Sequence, residues 1–110
     1  MGSLHREILL QEGLDDKIRI LSKRQRRLIL LTLKHDGEKT ERDVLFRSGD
    51  EMDDAELQLV HNHLPRLEEA GYIEWDRDSG TISKGPRYDE IKPLLDLMEN
   101  HADELPPDWP

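Results

Sequence analysis

Residues 53 to 84 read DDAELQLVHNHLPRLEEAGYIEWDRDSGTISK, and this stretch decides the fold of the chain. Asp53 and Glu56 form the pattern of a helix N-cap with a capping box, and Gly71 stands where a helix can end in a left-handed residue. Apolar residues recur at helical spacing between them. A β-prone run, turn residues from Asp76 to Gly80 and a second short run follow. The stretch is therefore predicted to be a helix, a sharp stop and a β-hairpin.

A second segment begins at Ser22, a favourable N-cap residue, and its many leucines and isoleucines predict a largely buried helix that stops at Asp36-Gly37. The first two turns of this helix carry cations, which oppose the helix macrodipole at a cost of about 0.3–1 kcal/mol each where they are exposed. Two interpretations stay open: the side chains contact phosphates, or they are solvated or paired with the acidic second half of the chain. The cations are Lys23, Arg24, Arg26 and Arg27.

Two shorter helices are predicted around this one. Asp15 to Leu21 has helical periodicity, and Thr40 with Asp43 forms a capping box that opens a helix ending at Ser48-Gly49. The latter would be the second helix of a helix-turn-helix, with the helix after Asp53 as the third.

The ordered set of these motifs resembles a known family. The string HLPRLEEAGYIEWDRDSGTI from His63, taken with LSKRQRRLILLTL from Leu21, is similar to winged helix-turn-helix transcription regulators. It looks most like small winged-helix domains of halophilic archaea whose function is uncharacterised, and the resemblance covers roughly residues 14–84. It implies an α+β, mainly helical fold with a three-helix core, a β-hairpin wing and extra terminal helices. It also implies DNA binding and regulation of transcription.

The charge of the chain neither supports nor excludes this expectation. The 110 residues carry a net charge of -9, but residues 1–47 hold 11 Lys and Arg against 8 Asp and Glu, whereas residues 48–110 hold 5 against 17. An acidic surface fits either halophilic solvation or a face that does not meet DNA. At molar salt the Debye length falls to about 3 Å, so distant acidic groups would repel DNA little.

The resemblance also places candidate DNA-binding residues. On the third helix, the outward positions that would face the major groove are Gln58, His61, Asn62 and Arg66. Asn and Gln can bond adenine in bidentate fashion, and Arg can bond guanine or phosphate. The acidic neighbours of these residues leave open a plain solvated helix face. Pro65 is predicted to bend the helix after His61, since proline removes a hydrogen bond there.

Cations elsewhere would contact the DNA backbone and the minor groove. Lys23, Arg24 and Arg27 would contact phosphates, and Arg77 at the tip of the wing would enter the minor groove, as wing arginines do in the resembled fold. A local ion pair of Arg77 with the flanking Asp76 or Asp78 is an equal alternative.

Four regions follow from these patterns: an N-terminal helical extension (1–13), the winged-helix domain (14–84), a C-terminal helix (85–104) and a disordered tail (105–110). The C-terminal helix has an apolar stripe, which the resemblance suggests is a homodimer contact. The same stripe could instead pack on its own domain. The tail holds three prolines, and Trp109 there is predicted to be incidental.

No pattern in the chain predicts catalysis. Without cysteine there is no disulfide, cysteine nucleophile or thiolate metal site, and we find no glycine-rich phosphate loop or serine elbow. His61 and His63 lie two apart on a helix and cannot chelate a metal together. We therefore expect a cytoplasmic protein with no enzyme activity, cofactor, metal or membrane association. The predicted function is a DNA-binding transcriptional regulator, and the alternative is a winged-helix module that binds protein instead of DNA.

Overall fold

The computed structural model of the chain describes residues 13–48 and 57–110, without the side chains of residues 45–48. The elements in chain order are α1 (Leu14–Leu21), α2 (Arg24–Asp36), β1 (Lys39–Thr40), α3 (Glu41–Ser48), a π-helical segment (Leu59–His63) that runs directly into α4 (Leu64–Glu69), β2 (Ile73–Asp76), β3 (Thr81–Lys84), α5 (Tyr88–Asn100) and a 3₁₀ turn (Ala102–Glu104). The chain is thus α+β and mainly helical. The N-terminal extension up to residue 12 and the capping box at Asp53 and Glu56 lie outside the described residues.

The three strands form one antiparallel sheet in the order β1-β3-β2. The predicted hairpin is confirmed: Trp75 pairs with Ile82, and Asp76 pairs with Thr81. Gly80 has φ +74 in the turn between them, a conformation that glycine adopts without strain. The short β1 was not predicted; Lys39 pairs with Ile82, and this pairing joins the start of α3 to the hairpin.

The hydrophobic core lies between α2, α4, α5 and one face of the sheet. Burial alternates along β2, where Ile73 and Trp75 point inward and Glu74 and Asp76 point outward. Helix and sheet are joined by the glycine stop predicted at Gly71, which has φ +85. The fully buried side chains are Leu30, Leu33, Leu64, Leu67, Ile82, Ile91 and Leu95, each with 0% exposure.

The helix ends agree with the sequence at one place and differ at another. Thr40 Oγ1 accepts a hydrogen bond from the Asp43 amide at 3.3 Å, and Asp43 Oδ2 accepts one from the Thr40 amide at 3.1 Å. This reciprocal pair confirms the predicted capping box. The prediction of Ser22 as the N-cap of α2 is wrong. Ser22 has helical backbone angles at the end of α1, where its hydroxyl donates to the Arg19 carbonyl at 2.7 Å, so α2 begins one residue later than expected.

Helix α5 packs on its own domain. Tyr88, Ile91 and Leu95 are buried, and the Tyr88 hydroxyl donates to the Leu30 carbonyl at 2.8 Å. Lys34 of α2 forms ion pairs with two carboxylates of α5, those of Asp96 and Glu99. The apolar stripe that suggested a dimer contact is therefore largely used inside the domain, as in the alternative interpretation. Pro93 lies within the continuous helix.

The C-terminal residues contact the folded domain. Trp109 is partly buried and packs against the hydrophobic core, so its prediction as incidental is wrong. The Pro110 carbonyl accepts a hydrogen bond from Arg27 Nη2 at 3.4 Å. Burial of a large apolar ring is favourable even at the end of a chain. Residues 105–110, predicted as a disordered tail, are described with these contacts in the structure. Within the described residues, no helix has the length and apolar character needed to cross a membrane.

Candidate nucleic-acid interface

Three of the four predicted recognition residues form a hydrogen-bonded row along the helical stretch 57–69. Asn62 Nδ2 donates to Gln58 Oε1 at 3.3 Å, and Arg66 Nε donates to Asn62 Oδ1 at 2.7 Å. The spacing of four residues places the side chains on one face of the helix, one turn apart. Gln58 and Arg66 are exposed and Asn62 is half-buried. We call these three residues the polar row; its bonds hold the amides and the guanidinium in register before any ligand arrives.

The fourth predicted residue, His61, is exposed on the same stretch. His63 is buried with 7% exposure, so the two imidazoles face different environments and do not meet. Burial, with the nearby charges of Arg26, Lys23 and Arg66, lowers the pKa of His63 from 6.5 to about 4. His63 is therefore neutral at neutral pH. Its Nδ1 has no hydrogen-bond partner among the described residues.

The helix departs from α geometry just before Pro65. The Leu64 amide donates to the Leu59 carbonyl, five residues back, as in a π-helix. Proline cannot donate a backbone hydrogen bond, and its ring crowds the carbonyl four residues earlier, that of His61. A wider turn relieves this crowding. The predicted disturbance of the helix near His61 thus takes the form of a π-helical turn, which also contains Asn62.

The cations at the start of α2 have different environments. Lys23 and Arg24 are exposed. Arg27 is half-buried, and its guanidinium donates through Nη1 to the Leu21 carbonyl at 2.7 Å and through Nη2 to the Pro110 carbonyl. Burial lowers the pKa of Arg27, while Asp108 raises it. Of the three predicted phosphate contacts, Lys23 and Arg24 thus face solvent, and Arg27 connects the end of α1 to the C-terminus.

Arg77 on the wing is paired with the helix before it. Its guanidinium lies 4.0 Å from the centre of the Trp75 ring and bonds both carboxylate oxygens of Glu68, at 2.9 and 3.3 Å. The flanking Asp76 instead accepts the amides of Asp78 and Ser79 at 3.0 and 3.4 Å, which closes the turn. An ion pair does form, but Arg77 makes it with Glu68 rather than with either neighbour in sequence. The pair ties the wing to the stretch that carries the polar row.

The structure adds one residue that the sequence interpretation did not separate from its neighbours. Arg26 is 5% exposed, unlike the adjacent cations, and its Nη2 donates to the Arg19 carbonyl at 3.2 Å. The signal was its spacing: Arg26 precedes the buried Ile29, Leu30 and Leu33 at helical intervals and therefore shares their face. Among the described residues, no group of three or more His, Cys, Asp or Glu side chains is arranged to hold a metal ion.

Comparison with known proteins identifies a family without a known activity. Residues 18–83 match the family described as "Domain of unknown function (DUF7344)". This match begins within α1, ends within β3 and so includes the polar row and the wing. No curated protein and no solved structure matches the chain. Because the match covers more than half of its residues, the chain belongs to the DUF7344 family.

Proposed function

We propose that this chain is a winged helix-turn-helix domain that binds duplex DNA and regulates transcription. The element order supports this architecture: α2, the strand β1, α3, the helical stretch 57–69 and the hairpin β2–β3 follow one another as the parts of a winged helix. In the proposal, the stretch 57–69 enters the major groove and the wing lies along the adjacent minor groove.

The observation that carries the proposal is the polar row. Its Asn62 and Gln58 amides each offer a donor and an acceptor, the pattern that pairs with the major-groove edge of adenine. Arg66 bonds Asn62 through Nε, so its two terminal nitrogens, Nη1 and Nη2, take no part in the polar row. A guanidinium can use these nitrogens on guanine or on phosphate. Lys23 and Arg24 would add contacts with the backbone.

Arg77 is the wing residue of the proposal. Its bond to Glu68 neutralises part of its charge, and an exposed ion pair of this kind contributes at most about 1 kcal/mol. Such a pair can open when a phosphate or a narrow groove offers a stronger negative potential. The predicted homodimer stays a prediction, but we place no dimer contact on the buried stripe of α5.

A second candidate function is binding of a basic protein segment, and one surface favours it. A groove of about 580 Å³ beside the sheet has four carboxylates in its lining, those of Glu38, Glu68, Glu74 and Asp76. Carboxylates lining a groove suit lysine or arginine side chains. This groove carries the alternative of a protein-binding module.

Two substitutions test the proposal and separate its parts. Arg24→Ala should weaken binding of all duplexes alike and reduce the salt dependence by about one phosphate contact, whereas Asn62→Ala should weaken the preferred sequence by about 1–3 kcal/mol and spare the rest. Lys92→Ala, which removes a cation of α5 paired with Asp96, is the control with the same change of charge as Arg24→Ala. Equal binding by all three variants and the original chain would reject the interface and favour the acidic groove.

A further inference from the structure

A cavity of about 300 Å³ lies between α1, the start of α2 and the end of α4. Its charged lining consists of four guanidinium groups and two carboxylates, in a chain whose net charge is -9. This local excess of positive charge therefore needs a physical explanation. The charged residues are Arg19, Arg26, Arg66, Arg87, Asp16 and Glu69.

Two of the four arginines are paired with nearby carboxylates. Arg19 bonds Asp16 at 3.0 Å, and Arg87 bonds Glu90 through two nitrogens at 2.9 Å each. Arg87 also donates to the Ala70 carbonyl at 3.1 Å, and this bond fixes its position at the cavity wall. These two guanidinium groups are accounted for by contacts within the domain.

Arg26 is different. Only 5% of Arg26 is exposed, although the residue lines the cavity. Its Nε is buried and has no hydrogen-bond partner among the described residues. Burial and, to a lesser extent, the charge of Arg66 lower its pKa, but a guanidinium stays charged at neutral pH. A buried cation without a counter-ion is costly, since desolvation is not offset by an opposite charge. The Arg26 guanidinium donates a hydrogen bond to the Arg19 carbonyl, which carries no charge.

We propose that this cavity binds the phosphate or carboxylate group of a small molecule, held by Arg26 and Arg66. An oxyanion in the cavity would lie beside Arg26 and Arg66, which both line it, and would offset the charges of the two guanidinium groups. The volume is at the small end of the range for ligand sites, about 300–1,000 Å³, which suits a small metabolite rather than a macromolecule. A backbone phosphate of duplex DNA is a poor candidate, because a stiff double helix cannot insert into a cavity to reach a side chain this deeply buried.

The site has a consequence for Arg66, which also ends the polar row. An anion in the cavity would draw the Arg66 guanidinium toward α1 and away from a DNA groove. The ligand would then act as an effector that lowers DNA affinity. This consequence rests on the proposed function, whereas the site itself does not.

The test is an NMR titration of the full chain with inorganic phosphate at constant ionic strength, balanced with KCl, with acetate as a parallel titration. The side-chain Nε–H signals of Arg26 and Arg66 should shift and saturate with one or both anions, so that each variant keeps one reporter, and the comparison of the two anions identifies the preferred group. Arg26→Met should weaken binding about tenfold or more, because the variant loses a charged hydrogen-bond donor at the cavity wall. Arg42→Met, an exposed cation of α3 outside the cavity, should change it less than about twofold.

If Arg26→Met does not fold, as judged by circular dichroism, Arg66→Met makes the same comparison from an exposed position. Absence of a saturable shift with both anions would overturn the proposal. Equal weakening in the Arg26 or Arg66 variant and in the Arg42 control would also overturn it, because the anion would then be responding only to net charge. Loss of DNA binding in Arg26→Met would reject the small-molecule site as well if the original chain binds neither phosphate nor acetate.

Discussion

His63 should make the fold sensitive to mild acid. The pKa of His63 is about 4 in the folded chain and near 6.5 in the unfolded chain. Between these pH values the unfolded state therefore binds more protons than the folded state. Stability from the neutral imidazole is thus present above pH 6.5 and is lost as the pH falls toward 4. Integration of this linkage gives a loss of about 2 kcal/mol between pH 7 and pH 5, a large part of the stability of a domain this size.

The assay is urea unfolding followed by circular dichroism at pH 7, 6 and 5. His63→Leu removes the titrating group, and we expect this variant to lose about 2 kcal/mol less than the original chain over the same range. His61→Gln, two residues away and exposed, is the control and should keep the full loss. The carboxylates whose pKa the fold lowers, Glu90, Asp96 and Glu99, lose their contribution mainly at lower pH. Parallel stability curves for the original chain and His63→Leu would refute the reasoning.

Two further predictions concern the wing and the C-terminus. Gly85→Ala should lower the free energy of urea unfolding by about 3 kcal/mol. The added Cβ would lie 2.5 Å from the Gly71 carbonyl oxygen and 2.7 Å from the Ile73 nitrogen, and both are backbone atoms. Unchanged stability would contradict this close approach. Trp109→Ala should lower stability by about 1–2 kcal/mol through lost packing on the core, whereas Pro107→Ala, at an exposed position, should have little effect; equal effects would show that the ring is not docked.

Features set by local sequence were predicted well. The reciprocal bonds of Thr40 and Asp43 and the left-handed Gly71 depend on a few adjacent residues, and both are present. The hairpin followed from its turn residues and its β-prone flanks. The α+β, mainly helical class could therefore be predicted from the sequence.

Features set by distant contacts were not predicted. β1 contains only Lys39 and Thr40, too short a run for any periodicity, and it exists because β3 offers it a partner. Ser22 is a good N-cap in isolation, but the end of α1 uses its hydroxyl first. Trp109 is docked by contact with a core that the sequence around it does not contain.

The candidate site shows the same division. Helical spacing was enough to place Gln58, Asn62 and Arg66 on one face, although their bonds to one another were not foreseen. Arg26 was grouped with the exposed cations because charge alone suggested a solvated face. Its burial follows from the apolar residues that share its side of α2, and only the packed structure shows the cavity that it lines.

The most direct test of the proposed function is fluorescence anisotropy of labelled genomic duplex fragments, titrated with KCl from low to molar concentration. DNA binding through Lys23, Arg24 and the 57–69 stretch predicts a binding constant that falls linearly on a log-log plot, with a slope of about 0.9 for each phosphate contacted. Folded protein that binds no duplex at any salt concentration would contradict the account.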